Sequence, residues 1–341
     1  MRRDHTPTGR NEVGLPLNLQ TVPETSVSLF APFFVCVLAL VLDHRLGEPG
    51  RLHPVVGFGR WVTMVEKRLN TAPDEARRSL LGGALAMLLL TLPFVCLAIW
   101  VSVALDGWLL ILAQAIALWL ALSLHGLAEH GRAVVEPLHT GDIERAREQV
   151  SRIVSRQASA LDERGVAAAA TESMLENGAD AVFASLFWFL VAGIPGLVMH
   201  RMVNTLDAMW GYRTPRFLYF GRAAARLDDV MGWVPARLTA LTYTLLGDRK
   251  LAWWCWRNQA PLWDSPNAGP VMAAGAGALD VRLGGPSPYP DGIKQRPVLG
   301  GARDASPASV ESAIRLVQHG VGLWLGVWLA VTTLVFVGVC G

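Results

Sequence analysis

Charge is scarce in this sequence. Of its 341 residues, 17% are Asp, Glu, Lys or Arg and 52% are hydrophobic, whereas about a quarter of an ordinary soluble chain is charged. That shortage excludes a typical water-soluble globule and makes membrane insertion the first expectation. An excess of one sign is also missing. The net charge is +2, with Lys and Arg dispersed among Asp and Glu, so no basic face is offered to nucleic acid. The four cysteines form no paired ligand motif. Cys36, Cys96 and Cys340 sit in apolar runs and Cys255 in an aromatic stretch, which reads as small buried hydrophobes and not as a disulfide or zinc framework. Also absent are a Walker-type glycine loop, a His-Glu-x-x-His pair, a nucleophile elbow and a dinucleotide fingerprint. There is no internal repeat and no low-complexity tract.

What is present is a series of long apolar runs. Residues 26–42 follow a polar tail containing Arg2, Arg3 and Arg10; no small-residue cleavage site follows them, so they read as a short retained span. Residues 80–105 and 108–124 are each close to the roughly 20 residues needed to cross hydrocarbon, and their junction at Asp106-Gly107 predicts a helical hairpin. Residues 321–339 predict a last span, with Trp324 and Trp328 at one end as interfacial anchors. Residues 181–199 are apolar but interrupted by Gly193-Ile194-Pro195-Gly196, where proline removes a backbone donor. This run either crosses, or dips and returns. Residues 231–246 contain Arg237 and Pro235, and predict a buried or interfacial helix in which the arginine needs a partner.

Segments 43–79, 125–180 and 200–318 are all rich in Arg or Lys, which the positive-inside tendency places together in the cytoplasm. One crossing by 181–199 would break that arrangement, whereas a re-entrant hairpin broken at Pro195 restores it. Ile143, Ala146, Val150, Ile153 and Val154 recur at helical spacing behind Asp142, an N-cap, and predict an amphipathic helix outside the bilayer. Residues 265–308 are dense in Gly and Pro and predict loop, with a short helix at 273–281. The fold class is therefore all-α: a polytopic membrane protein with amphipathic and interfacial helices and a Gly/Pro-rich loop region. It divides into a polar tail (1–25), a membrane-embedded domain (26–320) and a last transmembrane helix (321–341).

The densest polar cluster runs from Thr171 to Asp180. Glu172, Glu176 and Asp180 recur every four residues, which on one helix lines up three carboxylates that repel unless a cation or basic groups lie opposite. A hard cation such as magnesium satisfies that pattern, and so does a solvated acidic helix end. Arg201, Asn204, Thr205 and Asp207 border the other end of the broken run. Arg222, Arg226 and Asp229, with Asp228 adjacent and Arg237 beyond, fit either intrahelical ion pairs or phosphate capture. Around Asn267-Ala268-Gly269 and at Arg282-Leu283-Gly284-Gly285 the backbone can approach an anion closely. His53, in Arg51-Leu52-His53-Pro54, follows the first span.

In order along the chain, Leu42-Asp43 with Gly47-Glu48-Pro49 and His53-Pro54-Val55, Glu172-Ser173 with Glu176-Asn177 and Asp180, and Leu186-Phe187-Trp188 are followed by Val203-Asn204-Thr205-Leu206-Asp207 with Gly211-Tyr212. Phe220-Gly221, Ala224-Ala225-Arg226-Leu227-Asp228-Asp229, Pro235-Ala236-Arg237-Leu238-Thr239, Ser265-Pro266-Asn267-Ala268-Gly269 and Arg282-Leu283-Gly284-Gly285 complete the set. Through these motifs, from about Leu40 to Gly320, the chain resembles the adenosylcobinamide-phosphate synthases, the CobD/CbiB family of cobalamin biosynthesis. Gly178, Ala181 and Ser185 stand where the family has Thr, Gly and Pro, and Trp263-Asp264 where it has a His before Ser-Pro-Asn.

The resemblance implies an ATP-dependent amide ligase. It would join the propionate of adenosylcobyric acid to aminopropanol or its phosphate, with magnesium, a corrinoid substrate and an acyl-phosphate stage that lets a carboxylate react with an amine. It also implies a multi-pass protein of the inner (cytoplasmic) membrane, with its active site on the cytoplasmic side and other cobalamin-assembly enzymes as neighbours. Glu172, Glu176, Asn177, Asp180, Asn204 and Asp207 become the catalytic set, with Glu176, Asp180 and Asp207 as magnesium ligands. His53, Arg226, Asp228, Asp229, Arg237, Asn267, Gly269 and Arg282 become the substrate and phosphate contacts. A transporter built around the broken helix and a scaffold for corrin-ring enzymes are the competing readings.

Overall fold

Among the described residues, five helical stretches are long and apolar enough to cross a membrane. The computed structural model describes residues 22–49, 54–289 and 292–340; His53 lies outside them. Three of the five stretches are α1 (Val22–Leu46), α3 (Ala76–Ala104) and the α4–α5 pair (Gly107–Ala121, Leu124–Thr140), of which α4 is the apolar part. An amphipathic helix, α2 (Pro54–Leu69), lies between α1 and α3, with Trp61 and Met64 exposed on its outer face. The exposed surface of α3 is a run of leucines that includes Leu81, Leu85, Leu88, Leu89 and Leu92. In water such a surface would be costly, and in lipid it is the expected covering. Cys96 is exposed on α3 among them, unlike Cys36 and Cys255, which are buried.

The fourth stretch, residues 163–210, does not cross. It comprises α7 (Glu163–Asn177), a π-helical turn (Gly178–Phe183) and α8 (Ala184–Trp210). Asp180 and His200 are 20 residues apart, yet His200 Nε2 donates to the Asp180 carbonyl at 3.0 Å. A continuous helix would separate them by about 30 Å. The chain therefore reverses between them, at Ala192 (φ −137°, ψ 17°) and Gly193 (φ 59°, ψ −150°). Gly193 occupies a region open essentially to glycine alone, and the reversal falls two residues before Pro195. The run dips and returns, so among the described residues four of the five apolar stretches remain as candidate crossings.

The last crossing belongs to α12 (Pro307–Cys340), which runs without a break through the boundary expected at residue 320. Its first half buries Val310, Ala313, Ile314 and Val317 against α5 and α7, so a cytosol-type helix and a span share one rod. Against α5 and α7 packs α6 (Ile143–Ser151), capped as expected by Asp142, whose carboxylate accepts from the Arg145 amide at 3.1 Å. The helix expected at 231–246 is longer and begins earlier, as α9 (Arg222–Leu246). One side buries Met231, Pro235, Ala236, Thr239, Ala240 and Tyr243, while Val230, Trp233, Val234, Leu238, Leu241 and Leu245 stay exposed, the division of an interfacial helix.

The Gly/Pro-rich stretch is more ordered than its composition predicts. After α10 (Arg249–Asn258), α11 runs over Ala268–Ala278, starting five residues ahead of the expected helix. Nearly every residue of α11 is buried. Small side chains let it pack closely on α7, α9 and α10, and that packing outweighs the poor helix propensity of glycine. Beyond it lie two antiparallel ribbons, β1 (Arg282–Gly284) with β4 (Val298–Gly300), and β2 (Ser287–Tyr289) with β3 (Gly292–Lys294).

Candidate active site in two polar chambers

The π turn is where the site begins. A turn of i→i+5 bonds widens the helix and frees carbonyls from their usual partners. Side chains satisfy the freed groups here: the Tyr243 hydroxyl donates to the Leu175 carbonyl at 3.1 Å and His200 to that of Asp180. The extra residue in the turn also rotates Asp180 out of line with Glu172 and Glu176. The three carboxylates expected on one face consequently serve two different chambers.

Asp180, Ala181, Arg201, Asn204 and Asp207 line the first chamber, about 350 Å³ in volume, with Ser123, His130 and Asn177. Its carboxylates come from both limbs of the reversed hairpin. Behind them on α9, Asp228 accepts from Asn204 Nδ2 at 3.4 Å. Burial, and after it the neighbouring Asp207 carboxylate, push Asp228 up to about 7, with Asn204 opposing the shift. Asp229 is also raised, by burial first, against the opposing pull of Arg226 and Arg213. Arg201 is the chamber's cation; its buried Nε has no hydrogen-bond partner among the described residues. The end of α1 and the residues after it are fastened to the Ser123 wall. Asp43 accepts the His125 amide at 2.8 Å, Glu48 accepts the Ser123 hydroxyl, and Trp119 donates to the Gly47 carbonyl at 3.1 Å.

Asn177 and Ile153 also line a second chamber of about 380 Å³. Glu172, Ser173, Glu176, Arg156, Lys294 and Arg296 are in its wall, with Trp263, Ser265 and Tyr289. Glu172 is buried and fully engaged. It accepts two bonds from Arg296, at 2.9 and 3.1 Å, a third from the Gly284 amide at 2.8 Å, and one from Arg156. With its lone pairs taken, Glu172 is engaged as a strut, where the sequence expectation placed it in the catalytic set. Glu176 is exposed within the chamber and makes no hydrogen bond among the described residues.

The expected magnesium triad is likewise not assembled: Glu176 is in the arginine chamber, and Asp180 and Asp207 are in the acidic one. Among the described residues no three His, Cys, Asp or Glu side chains are grouped to hold an ion. Two carboxylates facing one chamber still suit magnesium that arrives with a nucleotide, because this ion usually takes one or two protein carboxylates and fills its shell with phosphates and water.

The expected phosphate contacts fare unevenly. Arg237 donates to Asn267 Oδ1 at 2.9 Å and lies over the Trp233 ring at 4.5 Å, so it has the partner that an apolar helix requires. Asn267 donates in turn to the Asp229 carbonyl at 2.9 Å and ties its loop to α9. Gly269 is buried where a Cβ would press on the Ala260 carbonyl, a packing role. Arg226 is exposed on α9 beside Asp229. Arg282 points outward, 3.8 Å from Asp304, and lines neither chamber. Sequence reasoning missed Arg156, Arg296, Lys294 and His130, which are lone residues in segments without a motif.

A reversed hairpin whose ends carry two adjoining polar chambers, set among long apolar helices and interfacial ones, defines a polytopic α-helical membrane protein. The CobD/Cbib protein family matches residues 36–317, and the chain belongs to this family of cobalamin-biosynthesis proteins. It is 54% identical over 299 residues to the cobalamin biosynthesis protein CobD of Stutzerimonas stutzeri, covering 87% of this chain and 97% of the relative. It is 51% identical over 311 residues to that of Chromobacterium violaceum, covering 90% and 97%. For the Rhodobacter capsulatus protein of the same name the identity is 40% over 293 residues, covering 84% and 92%. No solved structure matches the chain.

Proposed function

We propose that this protein is an ATP-dependent amide ligase that joins the propionate of adenosylcobyric acid to the amine of aminopropanol or its phosphate. The observation that carries this reading is the pair of chambers meeting at Asn177, one lined by carboxylates and the other by arginines. Amide formation from a carboxylate needs an anion site for the activating phosphates and a base for the amine, side by side.

ATP, as co-substrate, supplies the phosphoryl group that turns the propionate into a leaving-group-bearing acyl donor. Asp180 and Asp207 would hold the magnesium that accompanies it, which lowers the charge on the phosphates. Asp228, titrating near 7 behind Asp207, is placed in the range suited to proton transfer at neutral pH. Asn204 orients that carboxyl, and Glu176 is a second free carboxylate able to take the amine proton. If the remaining apolar stretches each cross once, segments 43–79, 125–180 and 200–318 fall on the same side as the chambers, and their excess of Arg and Lys supports a cytoplasmic active site through the positive-inside tendency.

The test is direct. Detergent-solubilised protein is incubated with adenosylcobyric acid, ATP, magnesium and aminopropanol or its phosphate, and the product is followed by mass spectrometry. Formation of the amide only when ATP is present is expected. Unchanged corrinoid in every mixture would leave the transporter or scaffold reading in its place.

A further inference from the structure

We propose that the chamber bounded by Arg156, Arg296 and Lys294 is a phosphate-binding site, in which Arg156 and Lys294 contact the phosphate oxygens and Glu172 anchors the two guanidinium groups. The identity of the phosphate's owner, nucleotide or amino-alcohol phosphate, rests on the ligase reading; the existence of the site does not.

Donor accounting separates the two arginines. Arg296 is committed to the protein: both Nη atoms reach Glu172, Nη2 also donates to Ser287 Oγ at 2.8 Å, Nε reaches the Gly285 carbonyl at 3.3 Å, and the guanidinium lies 5.4 Å from the centre of the Trp263 ring. Arg156 makes one hydrogen bond among the described residues, to Glu172. A guanidinium carries five N–H donors in a planar fork, so most of those of Arg156 remain for a ligand, although its side chain is only 9% exposed. A guanidinium held rigidly by a buried carboxylate is preorganised for the bidentate grip that phosphate favours.

Lys294 adds a second cation. Its partner, Asp264, lies 3.1 Å away, and both side chains are more than half exposed. Exposed pairs of this kind are worth little, so the ammonium can turn to a dianion at small cost. Ser155, Ser265 and Asn177 complete the polar lining. A purely structural Arg–Glu–Arg cluster would close upon itself, whereas this one borders about 380 Å³ of open space. The carboxylate of Glu176 in the same wall, without a hydrogen-bond partner among the described residues, suits an ammonium group on the molecule that brings the phosphate.

The full-length protein in detergent micelles is titrated calorimetrically with inorganic phosphate, with 1-aminopropan-2-ol phosphate and with ATP. Charge-assisted contacts of this kind predict that Arg156→Gln raises Kd about tenfold or more for inorganic phosphate and for one of the two phosphate-bearing substrates, and that Lys294→Ala raises it about threefold. Arg156→Lys recovers part of the loss, and Arg315→Gln, on the exposed face of α12, leaves every Kd as in the parent. The substrate whose Kd moves identifies the source of the phosphate. Unaltered affinities in folded Arg156→Gln and Lys294→Ala proteins overturn the proposal. Should Arg156→Gln not fold, unaltered affinities in Lys294→Ala alone do so. A parent protein that binds phosphate through these residues but forms no amide would remove the ligase reading and leave the site standing.

Discussion

The acidic chamber and the arginine chamber share a wall, yet they are built in opposite ways. The first draws Asp180, Arg201, Asn204 and Asp207 from two limbs of one hairpin, within 28 residues of sequence. The second joins Arg156, Glu172 and Arg296, contacts that span up to 124 residues and converge on a single carboxylate. In the acidic chamber the charges face a cavity; in the arginine chamber one carboxylate is consumed in holding the cations still. Loss of a group in the acidic chamber should therefore affect chemistry, and loss of Glu172 should affect the fold.

The sharpest break in that contrast is Glu172→Gln. It leaves two largely buried guanidinium groups facing a neutral amide, and breaking a buried pair costs about 3–5 kcal/mol. Thermal unfolding in detergent is expected to fall steeply or the protein to fail to accumulate. Asp207→Asn, by contrast, should lower turnover at least about 100-fold, the scale of a lost acid–base or charge-stabilising group, with Tm nearly unchanged; a parallel fall in Tm would erase the distinction between the chambers.

Gly193→Val strains the reversal itself, and a side chain held in that region costs about 1–3 kcal/mol. It should reduce both turnover and Tm, because both limbs supply the acidic chamber. Asp228→Asn tests the electrostatics. A carboxyl raised to about 7 favours the folded state at low pH, and this contribution is lost as pH rises through 7. The variant should therefore melt above the parent at pH 8, with the gap narrowing toward pH 5. The smallest effect is expected outside both chambers. Arg282→Gln removes an exposed pair with Asp304 and should shift stability by about 0.5 kcal/mol or less.

The crossings were legible because apolar length is a property of contiguous residues. The hairpin in 181–199 was legible for a related reason: Gly193 to Gly196 interrupts the run, and basic segments flank it on both sides. The acidic chamber could be read from the spacing of Asp180, Asn204 and Asp207 around that break. What spacing did not reveal was the π turn at 178–183, which sends Glu176 and Asp180 to different cavities. No sequence period marks it, since it is stabilised by Tyr243 and His200 reaching in from elsewhere. Arg156 and Arg296 escaped notice for the same reason, as their common partner is distant in sequence. The early start of α11 and the ribbons beyond it were hidden by composition: glycine and proline read as loop around the short helix expected at 273–281 until burial against α7, α9 and α10 is known.

The reversal at Gly193 also bears on how the protein is made. Between the end of α4 and the membrane half of α12, nearly two hundred residues contain no segment that must be carried through the bilayer, and the hairpin returns every polar group it started with to the side it left. Translation can thus deliver both chambers into a single aqueous compartment, and only the carboxyl-terminal rod remains to be threaded into lipid afterwards.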